Sequence, residues 1–435
     1  MTSKHTPLHS TGHGSTADDS VVERSTGRGS DRRTVHVVGG GLAGLTAAAV
    51  VARAGLPVVV HEQRNRLGGR ATTDEHNGFR FNQGPHALYL GGEGAQILRG
   101  LGVRIEGSPP PHKGARLIVD GAAHVLPGST GTLAVTRALG TRDKVDLGKM
   151  LARVGSVDTA ALAGLTVEEW ISSTTDRPRP ARVLHALIRL SAYVNDPGRL
   201  SAQVGVLQLQ RGVADGVTYL DGGWEGVVGQ LADLVTKLGG RVVAGEPVTE
   251  LPDVAAVVVA AGGPAVAARL TGAEFTVGPA SEASVLDLSL SAPAECRFAL
   301  GTDDAMYLSD HGFMKGMSPE GHASISIAQY LAAEGQPGAE PDRAGLRAFG
   351  RHAGITDDMV LEERYLHRMT TVSAIATADL GGLAGRPAVG LSEQPGVFLA
   401  GDWVGNRGHL ADAVVASAEE AALRAVAHVE RSLAA

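Results

Sequence analysis

Three glycines, Gly39, Gly41 and Gly44, stand in G-x-G-x-x-G spacing, and an acid, Glu62, follows about 20 residues on. That pattern suits the holding of a dinucleotide. Gly39 permits a tight turn, Gly41 lets backbone approach a pyrophosphate with no Cβ in between, and Gly44 lets the next helix lie close on its strand. The phosphates would then meet a helix N-terminus, where unpaired N–H groups and the macrodipole favour negative charge. Glu62 offers acceptors to ribose hydroxyls and disfavours a 2′-phosphate, which argues against NADP. A second signature, Gly68-Gly69-Arg70, adds close-approach backbone and a permanent, fork-shaped cation suited to phosphates. Far along the chain, Asp402 of Gly401-Asp402 offers a carboxylate to sugar-type hydroxyls. His86, in the run Asn82-Gln-Gly-Pro-His86, has two readings: a general base or substrate anchor, or a histidine that holds its own loop by a backbone hydrogen bond.

These groups need elements to place them. The apolar run Val35 to Val38 reads as a buried parallel strand, a helix opens after Gly41, and residues 56–61 read as a second strand ending at Glu62, which together make a βαβ unit. Residues 242–261 read as strand, turn, strand, with Val248 as a buried strand residue. Residues 397–402 read as a strand ending in Gly-Asp, and residues 408–413 lead into an alanine-rich helix reaching about Val429. Asp412, at the start of that helix, is either its N-cap or a cofactor contact.

The stretch Glu62-x-Arg64-x-x-Leu-Gly-Gly-Arg70-x-Thr72 resembles the signature of FAD oxidoreductases that include amine oxidases, protoporphyrinogen oxidase and the bacterial phytoene desaturases. Residues 242–261 and 397–413 are similar to further FAD contacts of that family. The resemblance implies FAD held by Gly39, Gly41, Leu42, Ala43, Gly44, Glu62, Gln63, Arg64, Gly68, Gly69, Arg70, Gly84, Pro85, His86, Val248, Gly401, Asp402, Ala411, Asp412 and Ala413. The backbone of Val248 would hold the adenine, and the first turn of the helix from Ala411 would face the flavin N1–C2=O edge and stabilise the reduced ring. Asn82-Gln83 departs from the family pattern, since many relatives carry an acid there.

The resemblance further implies an α/β fold. A Rossmann-type FAD domain with a parallel sheet would join a substrate domain of antiparallel sheet and helices. The FAD domain is expected from residues 32–100, 212–282 and 390–432, and the substrate domain from 101–211 and 283–389. Residues 145–209 carry helical patterns, with Thr166 and Glu169 in capping-box spacing, and residues 283–290 and 322–328 alternate as strands. Aromatics make up only 4% of the chain, and Lys315 is the one lysine to consider in the substrate half, so an amine-oxidase cage is disfavoured against the phytoene-desaturase and hydroxysqualene-dehydroxylase side. A hydride would move between a lipophilic, isoprenoid-like substrate and flavin N5, with His86 as the candidate catalytic side chain. Three alternatives stay open: an amine or protoporphyrinogen oxidase using O2, a flavoenzyme without net redox change, and a prenyl-binding escort protein that performs no catalysis.

Composition fits a large enzyme. With 435 residues, 43% of them hydrophobic, the chain can bury a substantial core, and a net charge of −7 gives no footprint for nucleic acid. The single cysteine, Cys296, excludes an intrachain disulfide or a C-x-x-C pair and suits a reducing cytoplasm. No metal-ligand spacing occurs among the 16 histidines. The first 31 residues, rich in Ser, Thr, Gly and His, are expected to be a disordered tail. No secretory signal or transmembrane helix is expected, though peripheral membrane contact fits a lipid substrate.

Overall fold

The computed structural model describes residues 33–332 and 341–434, so the expected N-terminal tail lies outside the described residues. Strand β1 (Val35–Val38), helix α1 (Leu42–Arg53) and strand β2 (Val58–Glu62) form the βαβ unit. Three distant stretches complete a five-stranded, wholly parallel sheet in the order Arg241–Ala244, β2, β1, Ala256–Val259, Val397–Leu399. Val35, Val37, Val58, Val60, Val257 and Val258 are almost fully buried, as expected of strands covered on both faces. Alanines decide the layer above. Ala47 and Ala48 of α1 and Ala418, Ala421, Ala422 and Ala425 of the Ala411–Ala434 helix are wholly buried in one core, so small side chains let these two helices pack closely.

A second sheet has seven strands, in the order Val360–Val372, Ser281–Leu290, Ala323–Tyr330, Met306–Asp310, Phe298–Gly301, Arg116–Val119, Ala122–Val125. The expected pairing of residues 283–290 with 322–328 is present, Ala283 opposite Tyr330 through Leu290 opposite Ala323. One feature is unforeseen: Phe298–Gly301 runs parallel to Arg116–Val119 in an otherwise antiparallel sheet. Alternation sets its two faces. Leu286 and Leu288 pack with Leu346 and Phe349 of the Arg343–Arg351 helix, whereas Ala283 and Val285 face a core with Leu147, Val183 and Ala186.

The helices of the middle segment are Thr141–Val154, Val167–Thr174, Pro178–Ala192 and Ala202–Ala214. Thr166 caps the second of these: its hydroxyl accepts from the Glu169 N–H at 3.1 Å, and the Glu169 carboxylate accepts from the Thr166 N–H at 2.8 Å. Thr166→Ala is expected to cost about 1 kcal/mol in urea denaturation with an unchanged denaturant slope.

The strand placement of Val248 is corrected. Between Arg241–Ala244 and Ala256–Val259 the chain is irregular, because Gly245 turns at φ +76° and Pro247 and Pro252 cannot donate to a ladder. Val248 packs half-buried against the core of the parallel sheet. Among the described residues, no helix is long and apolar enough to cross a membrane, and no cluster of His, Cys, Asp and Glu is arranged to hold a metal.

Candidate functional site

The carboxyl ends of β1, β2, Ala256–Val259 and Val397–Leu399 converge on one edge of the parallel sheet, the usual place for a ligand in such sheets. Gly39 leaves β1 at φ +110°, and a Cβ there would stand 2.7 Å from the Ala260 carbonyl oxygen. At Gly44 the Cβ would fall 1.8 Å from the Gly39 carbonyl oxygen, so only glycine lets α1 begin so close to the strand. Gly41 differs from both, since a Cβ there would meet nothing nearer than the Gly68 carbonyl oxygen at 3.7 Å. The protein itself has room for a side chain at Gly41; what glycine keeps clear is the ligand face. The two glycine signatures lie side by side, Gly41 bridging to Gly68 while the Gly68 N–H donates to the Gly40 carbonyl at 2.8 Å. Helix α1 opens with neither a side-chain cap nor an acid in its first turn, which leaves its positive end to an anion. Leu42 and Ala43, in that turn, are buried.

Glu62 is buried at the end of β2, where Oε2 accepts from the Gly40 N–H at 2.8 Å and Oε1 from the Arg64 N–H at 2.9 Å. The carboxylate is thereby fixed against the first glycine turn. Gln63 and Arg64, by contrast, have exposed side chains.

Arg70 and Asp402, 332 residues apart, meet in an ion pair of 3.0 Å. Arg70 also donates to the Thr371 carbonyl at 3.4 Å, which ties the pair to the end of the seven-stranded sheet. Asp402 is only 2% exposed, but 41% of the Arg70 side chain remains accessible, so the guanidinium faces solvent while its partner lies buried beneath it. Oδ2 of Asp402 takes both the Arg70 bond and the Ser373 N–H at 2.9 Å; Oδ1 is buried with no partner among the described residues. Burial alone would raise this carboxyl, yet the Arg70 charge and the bonds from Arg70 and Ser373 hold it down at about 2. Gly401 is held at both ends of its peptide unit by Ser417, whose Oγ lies 3.0 Å from the Gly401 nitrogen and from its carbonyl oxygen.

The His86 loop follows the strand Phe79–Asn82. The Asn82 side-chain oxygen accepts from Thr73 Oγ1 at 2.8 Å and from the Trp224 N–H at 3.1 Å. The residue that departs from the family pattern therefore braces the Glu225–Lys237 helix. Arg364, paired with buried Asp287 at 2.7 Å, donates to the Asn82 carbonyl from the seven-stranded sheet. Gly84 turns at φ +79° against the Met369 side chain, and Pro85 stiffens the step into His86. His86 Nδ1 lies 2.8 Å from the Gly84 carbonyl, so it carries the proton and leaves Nε2 with a free lone pair. Burial, with the nearby Arg70 charge, keeps this imidazole below its ordinary value despite the bond to Gly84. His86 thus holds its loop as the second reading required, and does so in the tautomer that the first reading requires.

Asp412 is not an N-cap. It sits inside the first turn of the Ala411–Ala434 helix, and its carboxylate reaches away to accept from the Gly94 N–H at 2.9 Å and to pair with Arg211. It thereby caps the neighbouring Glu93–Gly100 helix and locks it to Ala202–Ala214. Ala411 and Ala413 are left to present the helix start, which follows Gly408 at φ +65° and Leu410 at φ +52°, a left-handed conformation that few non-glycine residues adopt. His409 anchors this turn, with Nε2 donating to the Ala192 carbonyl at 2.8 Å and Nδ1 accepting from Arg386 at 3.2 Å. Lys315 is exposed, away from any role in the cleft.

The sequence reading missed a gathering of tyrosines. Tyr193 stands edge-on to Tyr307 and Tyr330, with centroids at 6.4 and 6.0 Å, and Tyr307 stacks on Tyr330 at 5.7 Å. The three rings come from one helix end and two strands of the seven-stranded sheet, so no local spacing announces them.

Residues 37–101 match the family model of the NAD(P)-binding Rossmann-like domain. The chain is 43% identical over 77 residues to a phytoene desaturase of Cercospora nicotianae, covering 18% of this chain and 12% of that protein. It is 45% identical over 65 residues to a hydroxysqualene dehydroxylase of Rhodopseudomonas palustris, covering 14% and 16% of the two chains. The aligned stretches thus span less than a fifth of these relatives' length. Among solved structures, putrescine oxidase bound to putrescine superposes with a TM-score of 0.66 over 91% of this chain and 99% of its own, at 15% identity. That likeness shows a shared fold over about nine-tenths of this chain.

Proposed function

We propose that this chain, which by fold and N-terminal signature stands in the superfamily of amine oxidases, protoporphyrinogen oxidases and phytoene desaturases, is an FAD-dependent oxidoreductase acting on a lipophilic, isoprenoid-like substrate. The observation that carries the reading is the grouping of Gly41, Gly69, Arg70 and Asp402: the two glycines leave one face clear, the Arg70 guanidinium is open to solvent, and Asp402 beneath it keeps a carboxylate oxygen with no partner among the described residues. A group with phosphates and hydroxyls fits these donors and acceptors. Gly39, Gly41, Leu42, Ala43, Gly44, Gly68, Gly69 and Arg70 would hold the pyrophosphate, Glu62 with Gln63 and Arg64 the ribose end, and Val248 the adenine. Gly401 and Asp402 would take the ribityl chain, while Gly84, Pro85, His86, Ala411, Asp412 and Ala413 would frame the ring, Asp412 through backbone only. FAD, when bound, supplies the hydride acceptor or donor.

The remaining work belongs to the chain. The segments carrying the parallel sheet, 32–100, 212–282 and 390–432, would form the cofactor domain, and 101–211 with 283–389 would cover it and exclude water. The helix start at Ala411 would stabilise negative charge at its end of the cleft. His86, neutral and held with Nε2 unprotonated, would accept a proton or anchor a polar substrate atom. A cytoplasmic protein that meets its substrate at a membrane surface fits such a ligand.

His86→Ala tests the assigned base. With flavin content unchanged, turnover is expected to fall about 100-fold. In the wild type, rate should drop as the pH falls through the lowered His86 value, where Nε2 becomes protonated and loses its lone pair. Unaltered turnover at normal flavin content removes His86 from the mechanism. Dependence on amines, with oxygen consumed and peroxide released, would transfer the assignment to the amine-oxidase reading.

A further inference from the structure

We infer that Tyr193 selects the substrate, its phenol donating a hydrogen bond to an oxygen carried by an otherwise apolar ligand. This deepens the reading above and rests on it. Tyr193 ends the Pro178–Ala192 helix at φ +56°, a left-handed conformation unfavourable to a bulky aromatic and usual for glycine. Strain of this kind persists only where surroundings impose it. Here two hydroxyls do so: Ser281 Oγ and Thr371 Oγ1 both donate to the Tyr193 carbonyl at 2.9 Å. Thr371 is the residue whose own carbonyl takes the Arg70 bond, so the tyrosine is tied directly to the Arg70–Asp402 pair.

The side chain is as firmly set as the backbone. Tyr307 and Tyr330, fully buried, hold the Tyr193 ring edge-on, whereas Tyr193 itself is only half-buried and keeps accessible surface. The Tyr307 hydroxyl lies 3.2 Å from that of Tyr193. Tyr307 is 1% exposed and its hydroxyl has no other hydrogen-bond partner among the described residues, so its buried O–H donates to Tyr193 rather than remain unsatisfied. That direction leaves the Tyr193 proton free. Its own deprotonation is no competitor, because burial pushes the phenol up to about 12. A surface facing only hydrocarbon would gain nothing from an oriented, unused donor on a half-exposed ring. Such a donor fits a hydroxyl or carbonyl carried by an isoprenoid-sized chain.

The test compares farnesol with β-farnesene, two fifteen-carbon isoprenoid probes of which only the first carries oxygen. Binding is followed by tryptophan fluorescence, since Trp224 lies 5.8 Å from His86 between ring centroids and reports without need of flavin. Wild-type protein is expected to bind farnesol about tenfold more tightly than β-farnesene. Tyr193→Phe keeps the ring and should bring the two within about threefold, with β-farnesene affinity unmoved. A wild type without the preference, including one that binds neither probe, overturns the inference, as does a preference that survives in Tyr193→Phe. Flavin content is read separately from the visible spectrum, so its absence counts against the FAD reading and the fluorescence result still decides on Tyr193.

Discussion

Replacing Gly41 by valine is expected to yield a folded protein that no longer retains FAD. Space decides the outcome. A Cβ at Gly41 has 3.7 Å to the nearest protein atom, so nothing in the polypeptide resists it, and its φ near −81° is open to any residue. The valine methyls would instead occupy the face on which a pyrophosphate must approach the N-terminus of α1, and affinity for FAD should fall about 100-fold or more. Circular dichroism and the melting transition should stay close to wild type. Gly44→Ala is the contrasting substitution. Its methyl would lie 1.8 Å from the Gly39 carbonyl oxygen, which cannot move without separating α1 from β1. A loss of about 4 kcal/mol or more, seen as unfolded or insoluble protein, is expected. Equal behaviour of the two variants would contradict the separate tasks assigned to these glycines.

Asp402→Ala should remove flavin and stability together. The carboxylate is held at about 2, below its ordinary value, by Arg70 and Ser373 against the opposing effect of burial. A depressed carboxyl stabilises the fold fully above the unfolded-state value near 4, and that contribution is lost as pH falls through the folded-state value. The wild type should therefore lose about 2 kcal/mol between roughly pH 4 and pH 2 from this group, a figure kept modest because Arg70 is open to solvent. In Asp402→Ala that segment of the pH–stability curve should flatten. An unchanged acid limb would show that the pair contributes nothing to folding.

The parts of this arrangement differ in how far sequence alone reveals them. Gly39, Gly41 and Gly44 share one turn and helix start, so spacing identified them, although the Ala260 carbonyl that crowds Gly39 comes from a distant strand. Helices such as Val167–Thr174 were equally local, since Thr166 and Glu169 satisfy each other within one turn. The carboxylate of Asp402 at its strand end was legible, but not its pairing with Arg70, because the two lie 332 positions apart and no periodicity links them. Asp412 shows the limit. Its position beside a helix start suggests a cap, yet the carboxylate is drawn to Gly94 and Arg211 on two other helices, where a buried charge finds a donor and a counter-ion at once. Val248 was drawn toward a strand by the valines around it, whereas Gly245 and two prolines prevent a ladder there. The tyrosines had no local signal whatever. A composition of 4% aromatic argued against an aromatic wall, but composition says nothing of where the few rings gather.

FAD held by Gly41, Gly69, Arg70 and Asp402 would give the purified protein a colour. The visible absorption spectrum of the purified protein, with identification of the flavin released on denaturation, tests this binding most directly. Bands at about 370 and 450 nm and roughly one FAD per chain, lost in Gly41→Val, are expected. A colourless protein that also fails to take up added FAD would contradict it.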